Sequence, residues 1–511
     1  MKASRILMSV FALAALVGCS QNHEENEVVG GGEVEKSYLS VNVKSSEDLS
    51  RAIGDYEDGT EEEKMVTNAH FFFFDAAGAP VSVAGDKNYI ANTISVTDEG
   101  KSNTIESVGQ VLVLDKTQGP VVSQLVVVLN WAYKGASMDL STLKGQLVAE
   151  SALKGDNGFV MSNSVWMNSD KSVKDTALIT SANLAESKTA AEAKPVTVYV
   201  ERLAARVKVN TGAGIFDPGV EAAGEDVQVK ILGWDLIATQ PNTKLVKAID
   251  TSWTNDALGF AWNNAAHFRS HWAVPEADAV NNAFTYAQLT NKLDAVEYCG
   301  EHVGVKDGDN NTKVVFAAQL VADDGSGTLK PLELAQWYGA EYAGTDNLLK
   351  AVAPTLKNEL MHKDVDETYT SIDDSQIQCV AGLPGTDSYE VSFQLAEGVP
   401  TDDWYRYDGA TYTAVDANAV LAAIDPALVY KDGKTYYSVD IKHYGDKAVG
   451  VIRNHSYTIN VTGVNGLGTP VYNPNSNIVE PAVPMERYTY LESEINVLAW
   501  SLVEQDAVLG N

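Results

Sequence analysis

Apolar and polar residues alternate with a period of two in many short stretches, and turn residues separate them; that pattern predicts strands. In Ser37-Tyr-Leu-Ser-Val-Asn-Val-Lys44, Leu39, Val41 and Val43 alternate with Ser40, Asn42 and Lys44, as in a half-buried strand. Val66–Asp75 ends in Ala-Ala-Gly-Ala-Pro80, a strand followed by a turn. Val111–Leu114 and Gln124–Asn130 are nearly all apolar, as in strands covered on both faces, and Pro195–Val209 reads as one long alternating strand. Further strands are expected at Val227–Leu236, Thr312–Leu320, Tyr389–Leu395, Thr435–His443 and His455–Val464. Met138–Leu153, Thr176–Glu192, Leu332–Tyr342 and Asp416–Ile424 have helix-compatible composition. Many short strands with turn signals argue for a mainly β chain with a few helices, built as β-sandwiches. At 511 residues one core is too few, so two domains are expected, at 52–212 and 220–490, joined by the glycine-rich Thr211–Gly219.

The last strand-like stretch, Glu494–Glu504, is β-branched and aromatic. The segment before it, Tyr472–Pro484, carries three prolines and cannot supply a hairpin partner, because proline offers no ladder donor. A strand on a stiff arm can complete its own sheet or add to the sheet of another molecule. Ile495, Val497, Ala499, Trp500 and Leu502 are its candidate buried side chains, and 491–511 is the candidate donor segment. Ile-Asn-Val alternates with the opposite parity to Trp-Ser-Leu, so a bulge near Leu498 or Ala499, or a strand covered on both faces, is expected.

Charge and the amino terminus narrow the class. With 37 Lys and Arg against 69 Asp and Glu, net −32, the chain lacks the basic face that nucleic acid requires. Lys2 and Arg5 precede an apolar run, Ile6–Val17, too short to span a bilayer. Leu16-Val-Gly-Cys19 then matches a bacterial lipobox, which marks 1–19 as a lipoprotein signal with Cys19 as the lipid-bearing residue. Ser20–Glu35 is polar and glycine-rich, a flexible tether. Arg51 follows the first strand in a polar, small-residue stretch; it is either a surface arginine or an accessible site for a trypsin-like protease cutting before Ala52. Such a cut would remove the tether and the strand of Leu39, Val41 and Val43 within 20–51. Cys299 and Cys379 could pair in an oxidising envelope or stay as buried thiols.

Catalytic chemistry is sparse. No P-loop, nucleophile elbow or paired CxxC occurs. His267 and His271 have helical i, i+4 spacing, but Phe268 stands where a zincin needs glutamate, and Arg269 opposes a cation. Asp307-Gly-Asp-Asn-Asn311 begins like a calcium loop, yet Thr312 replaces the turn glycine and Ala318 the closing acid. Asp373-Asp374 and Asp402-Asp403 read as acidic turns, and the sequons at Asn310, Asn454 and Asn460 as coincidence. No enzyme, metal or cofactor is expected.

Several stretches, taken together and in order, resemble the fimbrillin family of Bacteroidales bacteria, and within it the shaft subunits of the minor (short) fimbriae. They are Leu16-Val-Gly-Cys19, Ser50-Arg-Ala-Ile53, Ala69–Asp75, Glu201-Arg-Leu-Ala-Ala-Arg-Val-Lys208, Gly233-Trp-Asp-Leu236, Arg269–Ala273, Arg453–Ile459 and Ile495-Asn-Val-Leu-Ala-Trp500. The resemblance implies two transthyretin-like β-sandwiches completed by strand exchange between subunits. It implies export as an outer-membrane lipoprotein, cutting by an arginine-specific protease between Arg51 and Ala52, and polymerisation as the C-terminal segment of a second copy fills the vacated groove. Adhesion and biofilm formation, accessory subunits, and host or bacterial surface receptors would follow. An anchor or tip accessory subunit, or a surface glycan-binding lipoprotein using exposed tryptophans among Trp131, Trp166, Trp253, Trp262 and Trp272, are the alternatives.

Overall fold

The computed structural model describes residues 36–45, 59–94, 108–116, 121–156, 158–167, 173–248, 284–289, 293–304, 311–381, 389–443, 449–478, 489–497 and 501–510. The chain is mainly β, with short helices. The amino-terminal sheet is made of β1 (Lys36–Ser45), β2 (Asn68–Phe74), β3 (Tyr89–Thr93), β4 (Val108–Asp115), β5 (Gln124–Leu129), β6 (Met161–Asn163), β7 (Leu184–Ala185) and β8 (Val196–Arg202), with the two-residue strand Ala177–Leu178 paired to β5. Its order is β7-β1-β8-β6-β5-β2-β3, with β4 on the opposite edge of β1. The sheet rolls over one core, in which Phe71 to Phe74 and Leu125 to Leu129 are all fully buried. These are the runs without alternation, and both faces of their strands are covered.

The expected single strand Pro195–Val209 is two. β8 ends at Arg202, Leu203 turns inward, and β9 (Ala204–Asn210) belongs to a different sheet. Val200 to Val207 are buried on both faces, so no exposed position marks the change of sheet. The second sandwich stacks β9, β11 (Val296–Gly300) and β14 (His455–Gly466) on β10 (Gln228–Ile237), β12 (Lys313–Asp323) and β13 (Lys434–Asp440). Val207, Ile231, Phe316, Tyr457 and Ile459 fill the space between. On the outer face of β12, Val315 and Ala317 pack against Tyr286 and Leu289.

Residues of 335–429 enclose a third core around Trp404, Phe393 and Leu348. Here two helical expectations differ in outcome. Asp416 caps the helix Ala417–Ala422 through its side chain, as its composition suggested. Leu332–Tyr342 instead forms strands Leu334–Trp337 and Ala340–Ala343 joined at Tyr338-Gly339, both at positive φ. A two-residue turn with both φ values positive closes a hairpin, and tertiary pairing overrides the weak helical propensity. Met138–Leu153 keeps one short α-helix, Leu140–Lys144, and Thr176–Glu192 keeps only Lys188–Glu192.

Candidate functional site

The first strand sits inside its sheet. One edge of β1 pairs parallel with β8, from Val41↔Val196 to Ser45↔Val200, and antiparallel with β7 at Leu39↔Leu184. The other edge pairs antiparallel with β4, from Lys36↔Asp115 to Val43↔Val108. Leu39, Val41 and Val43 point into the core and are 0, 0 and 1 % exposed. Burying three such side chains contributes roughly 5–9 kcal/mol. Around them lie Leu112 and Leu114 of β4 and Val196, Val198 and Val200 of β8, all buried. Apart from β1, β4 is tied to the body at a few points. Asp115 donates its N–H to the Val83 carbonyl (2.8 Å) and accepts from Gly85 N–H (2.9 Å), and Asn92 donates to Gln110 (3.2 Å). Without β1, the facing edges of β4 and β8 would expose backbone groups above an apolar trench. Cys19, Arg51 and Ala52 lie outside the described residues.

The C-terminal stretch differs from the single expected strand. It forms β15 (Thr489–Val497) and β16 (Ser501–Gly510), antiparallel to each other with Val497 opposite Leu502. Both run along β14, as Tyr457↔Val497 and His455↔Ser501, in the second sheet. The interruption falls where the apolar parity changes, between Val497 and Ser501. Ile495 and Val497 lie in β15 and Leu502 in β16; Ala499 and Trp500 fall outside the described residues.

At Leu203, where the chain leaves the first sheet, charged side chains converge in the interior. Helix α1 (Glu61–Lys64) starts with a capping box between Thr60 and Glu63. The Glu63 carboxylate accepts from Arg206 Nη1 (3.0 and 3.1 Å) and from the Tyr298 hydroxyl (2.8 Å). Arg202 Nε donates to the Glu63 carbonyl (2.7 Å), and Arg202 Nη1 and backbone N–H reach the Asn454 side chain. Arg206 Nε adds a bond to Ser456 of β14 (2.8 Å). Burial pushes the Glu63 carboxyl up, but the Arg206 charge and the Thr60, Tyr298 and Arg206 hydrogen bonds outweigh it and hold it below its usual range. Next to this lies a second cluster. Arg453 donates to Glu301, to the Thr243 hydroxyl (3.3 Å) and to the Lys244 carbonyl (2.7 Å), while Lys247 Nζ stands 3.8 Å from Glu301. In the sequence Glu201, Arg202 and Arg206 read as positions of an alternating strand, with no role of their own. The signal was charge at inward-facing strand positions, where only a paired charge is tolerated.

The remaining candidates are scattered. Asp373 caps a short 3₁₀ turn, and Asp403 sits in a bend at φ 62°. The Asn454 amide is held by Arg202, and Asn460 accepts from Asn210 (2.7 Å). Cys299 and Cys379 are both free thiols, in separate cores. Trp131 stacks on Tyr133 with centroids 5.0 Å apart, and Trp166 Nε1 donates to the Thr176 carbonyl (2.8 Å). His267, His271, Asn310, Trp253, Trp262, Trp272 and residues 307–310 fall outside the described residues; Asn311 is buried. Among the described residues no three His, Cys, Asp or Glu side chains are grouped to hold a metal ion.

Residues 428–506, from the end of the third core through β16, match the family model described as major fimbrial subunit protein type IV, fimbrillin, C-terminal. No curated protein matches the chain. A fimbrilin (fimA) from Porphyromonas gingivalis W83 is 14% identical over 93% of this chain and 99% of its own, at TM-score 0.33. The tip fimbrial protein Mfa3 from P. gingivalis, with a C-terminal truncation, is 10% identical over 91% and 100%, at 0.31. A fimbrial assembly protein from Parabacteroides distasonis is 16% identical over 58% and 84%, at 0.26. Over residues 428–506 the chain is similar to the C-terminal part of fimbrillins.

Proposed function

We propose that this protein is the shaft subunit of a fimbria on the bacterial surface, assembled by exchange of its first strand. In this reading it is a structural subunit and not an enzyme. In this reading the chain leaves the cell as a lipoprotein carrying lipid on Cys19, with the outer membrane as its first station. An arginine-specific protease cuts between Arg51 and Ala52 and frees the lipid together with β1. The C-terminal segment of a second copy, residues 491–511 with Ile495, Val497, Ala499, Trp500 and Leu502 as candidate anchors, then takes the place between β4 and β8. A head-to-tail contact of this kind does not close, so it grows a filament, to which accessory subunits and surface receptors bind in adhesion and biofilm formation. The proposed units are the signal 1–19, the tether and removable strand 20–51, sandwiches at 52–212 and 220–490, and the donor segment 491–511.

The observation that carries the reading is the seat of β1. It is an interior strand with three fully buried apolar side chains, placed at the extreme amino end of the described chain and preceding the arginine. Support also comes from the C-terminal strands, which lie on β14 and outside the sheet that β1 completes. The test is to treat the purified chain with an arginine-specific protease and look for high-mass ladders whose amino terminus begins at Ala52. A variant lacking 491–511 is expected to remain monomeric after the same cut; ladders from that variant would refute the donor assignment.

A further inference from the structure

The second buried cluster at the junction has the composition of a bond-forming site. Lys247 follows a segment that is pinned on both sides: Leu245 N–H donates to the Gln146 carbonyl (2.8 Å), and the Arg453 guanidinium takes the Thr243 hydroxyl and Lys244 carbonyl. The Lys247 side chain is 0 % exposed and that of Glu301 is 5 % exposed. Nζ stands 3.8 Å from Glu301 Oε2, an ion-pair distance beyond hydrogen-bonding range, and Oε2 has no hydrogen-bond partner. Arg453 holds the other oxygen, Oε1, through its Nε. A second carboxyl, Glu201 of β8, shares the cluster; it accepts from the Ser164 hydroxyl on Oε2 (3.1 Å), while its Oε1 has no partner.

We propose that Lys247 and Glu301 condense into an intramolecular amide, with Glu201 as the proton carrier. Lys247 Nζ attacks Glu301 Cδ as Glu201 relays the departing protons. Arg453 holds the charge that develops on Oε1. The Nζ–Cδ bond forms, the Cδ–Oε2 bond breaks, and Oε2 leaves as water with two protons that began on the ammonium. Nothing is oxidised or reduced, and Glu201 ends as it began. Burial places the amine and carboxyl side by side, which removes the entropy cost of their encounter, and it keeps out the bulk water that would favour the ionised pair.

Charge balance favours the same product. Burial raises the Glu201 carboxyl, with the Lys247 and Arg453 charges opposing and Glu301 adding, and keeping several charges in the interior is costly. After condensation Arg453 is the one remaining cation of the four, and Glu201 is free to ionise beside it. The bond would also weld the 243–247 segment, which packs on the first core through Leu245 and Val246, to the end of β11 in the second sandwich.

Mass spectrometry of the purified, denatured chain decides the matter. The expected mass is one water below that required by the sequence. Trypsin should fail to cut after Lys247, and fragmentation should yield a branched peptide joining Lys247 to Glu301. Lys247→Arg and Glu201→Gln should each show the full mass of their own sequences. An unmodified mass with normal cleavage after Lys247 would overturn the proposal and leave a buried ion pair. That result needs the native chain only, so it stands even if a variant fails to fold. A missing water that persists in Glu201→Gln would overturn the role given to Glu201.

Discussion

Glu63 shows what one buried charge does in this fold. Its carboxylate, 2 % exposed, serves Arg206, Tyr298 and the cap of its own helix. Glu63→Ala would leave Arg206 buried beside an empty site, so a loss of about 3–5 kcal/mol is expected in denaturant titration. Buried histidines set the response to acid. Burial lowers His455 to about 3, with the Arg453 carbonyl opposing, and burial likewise lowers His70 and His302. The unfolded chain protonates these rings near pH 6.5 while the folded chain does not. Their contribution is therefore complete above that pH and is lost as pH falls below it, for His455 down towards about 3. Glu63, with its lowered carboxyl, adds a loss of the same sign below about pH 4.5. Glu201, raised by burial, works the other way and regains part of the loss between its folded value and about pH 4.5. Melting temperatures at pH 7, 5.5 and 4 should fall in that order. Gly433 is a backbone case: at φ +74° a Cβ would lie 2.3 Å from the Leu320 carbonyl oxygen. Gly433→Ala should destabilise by at least 1–3 kcal/mol, about the cost of the left-handed strain alone, as chemical denaturation would show.

Among the elements, β1 is the one whose contribution would depend on processing under the exchange reading. Leu39→Ala in the uncut chain should cost about 2–5 kcal/mol, the usual loss for a buried leucine. In protein cut after Arg51 and freed of its amino-terminal fragment, the same substitution should have no effect, because the strand is gone. Equal melting temperatures for the two uncut proteins would mean that Leu39 does not hold the sheet together. The alternation of Leu39, Val41 and Val43 was legible in the sequence because one face of β1 is buried and the other half-covered. β8 and β9 were equally legible as strands, but their division was not. Leu203 is buried like its neighbours, and only the partners of each half, β1 and β6 against β11 and β14, tell them apart. Leu334–Trp337 and Ala340–Ala343 read as helix because Leu, Ala, Gln and Glu suit both states locally, and the strand Ala427–Tyr430 that pairs with Leu334–Trp337 lies far along the chain.

At the scale of the whole molecule, the two ends of the chain lie on different sheets: β1 completes the first, and β15 with β16 extends the second. If the exchange reading holds, a synthetic peptide of residues 36–45 added in excess to the cut protein should raise its melting temperature and suppress ladder formation. Both effects have one cause, occupancy of the place between β4 and β8. A peptide that does neither would show that the cut protein holds no open groove. The junction at Leu203 joins the two sandwiches through side chains from α1, β8, β9, β11 and β14, so force passed along a filament would cross it.

By itself the sequence determined what short-range chemistry can determine. Period-two alternation made the chain a β protein, the net charge of −32 set it apart from nucleic acid, and the lipobox-like run ending at Cys19 and the arginine at 51 supplied the proposal of a processed amino terminus. Only the tertiary structure decided which strands share a sheet, that β1 lies in a sheet interior, and that Glu63, Arg202, Arg206, Glu201, Glu301 and Arg453 meet at one junction. The physical reason is that ladder hydrogen bonds and buried ion pairs join residues up to about 250 positions apart, and a local pattern records that a charge faces inward but not which distant charge will meet it.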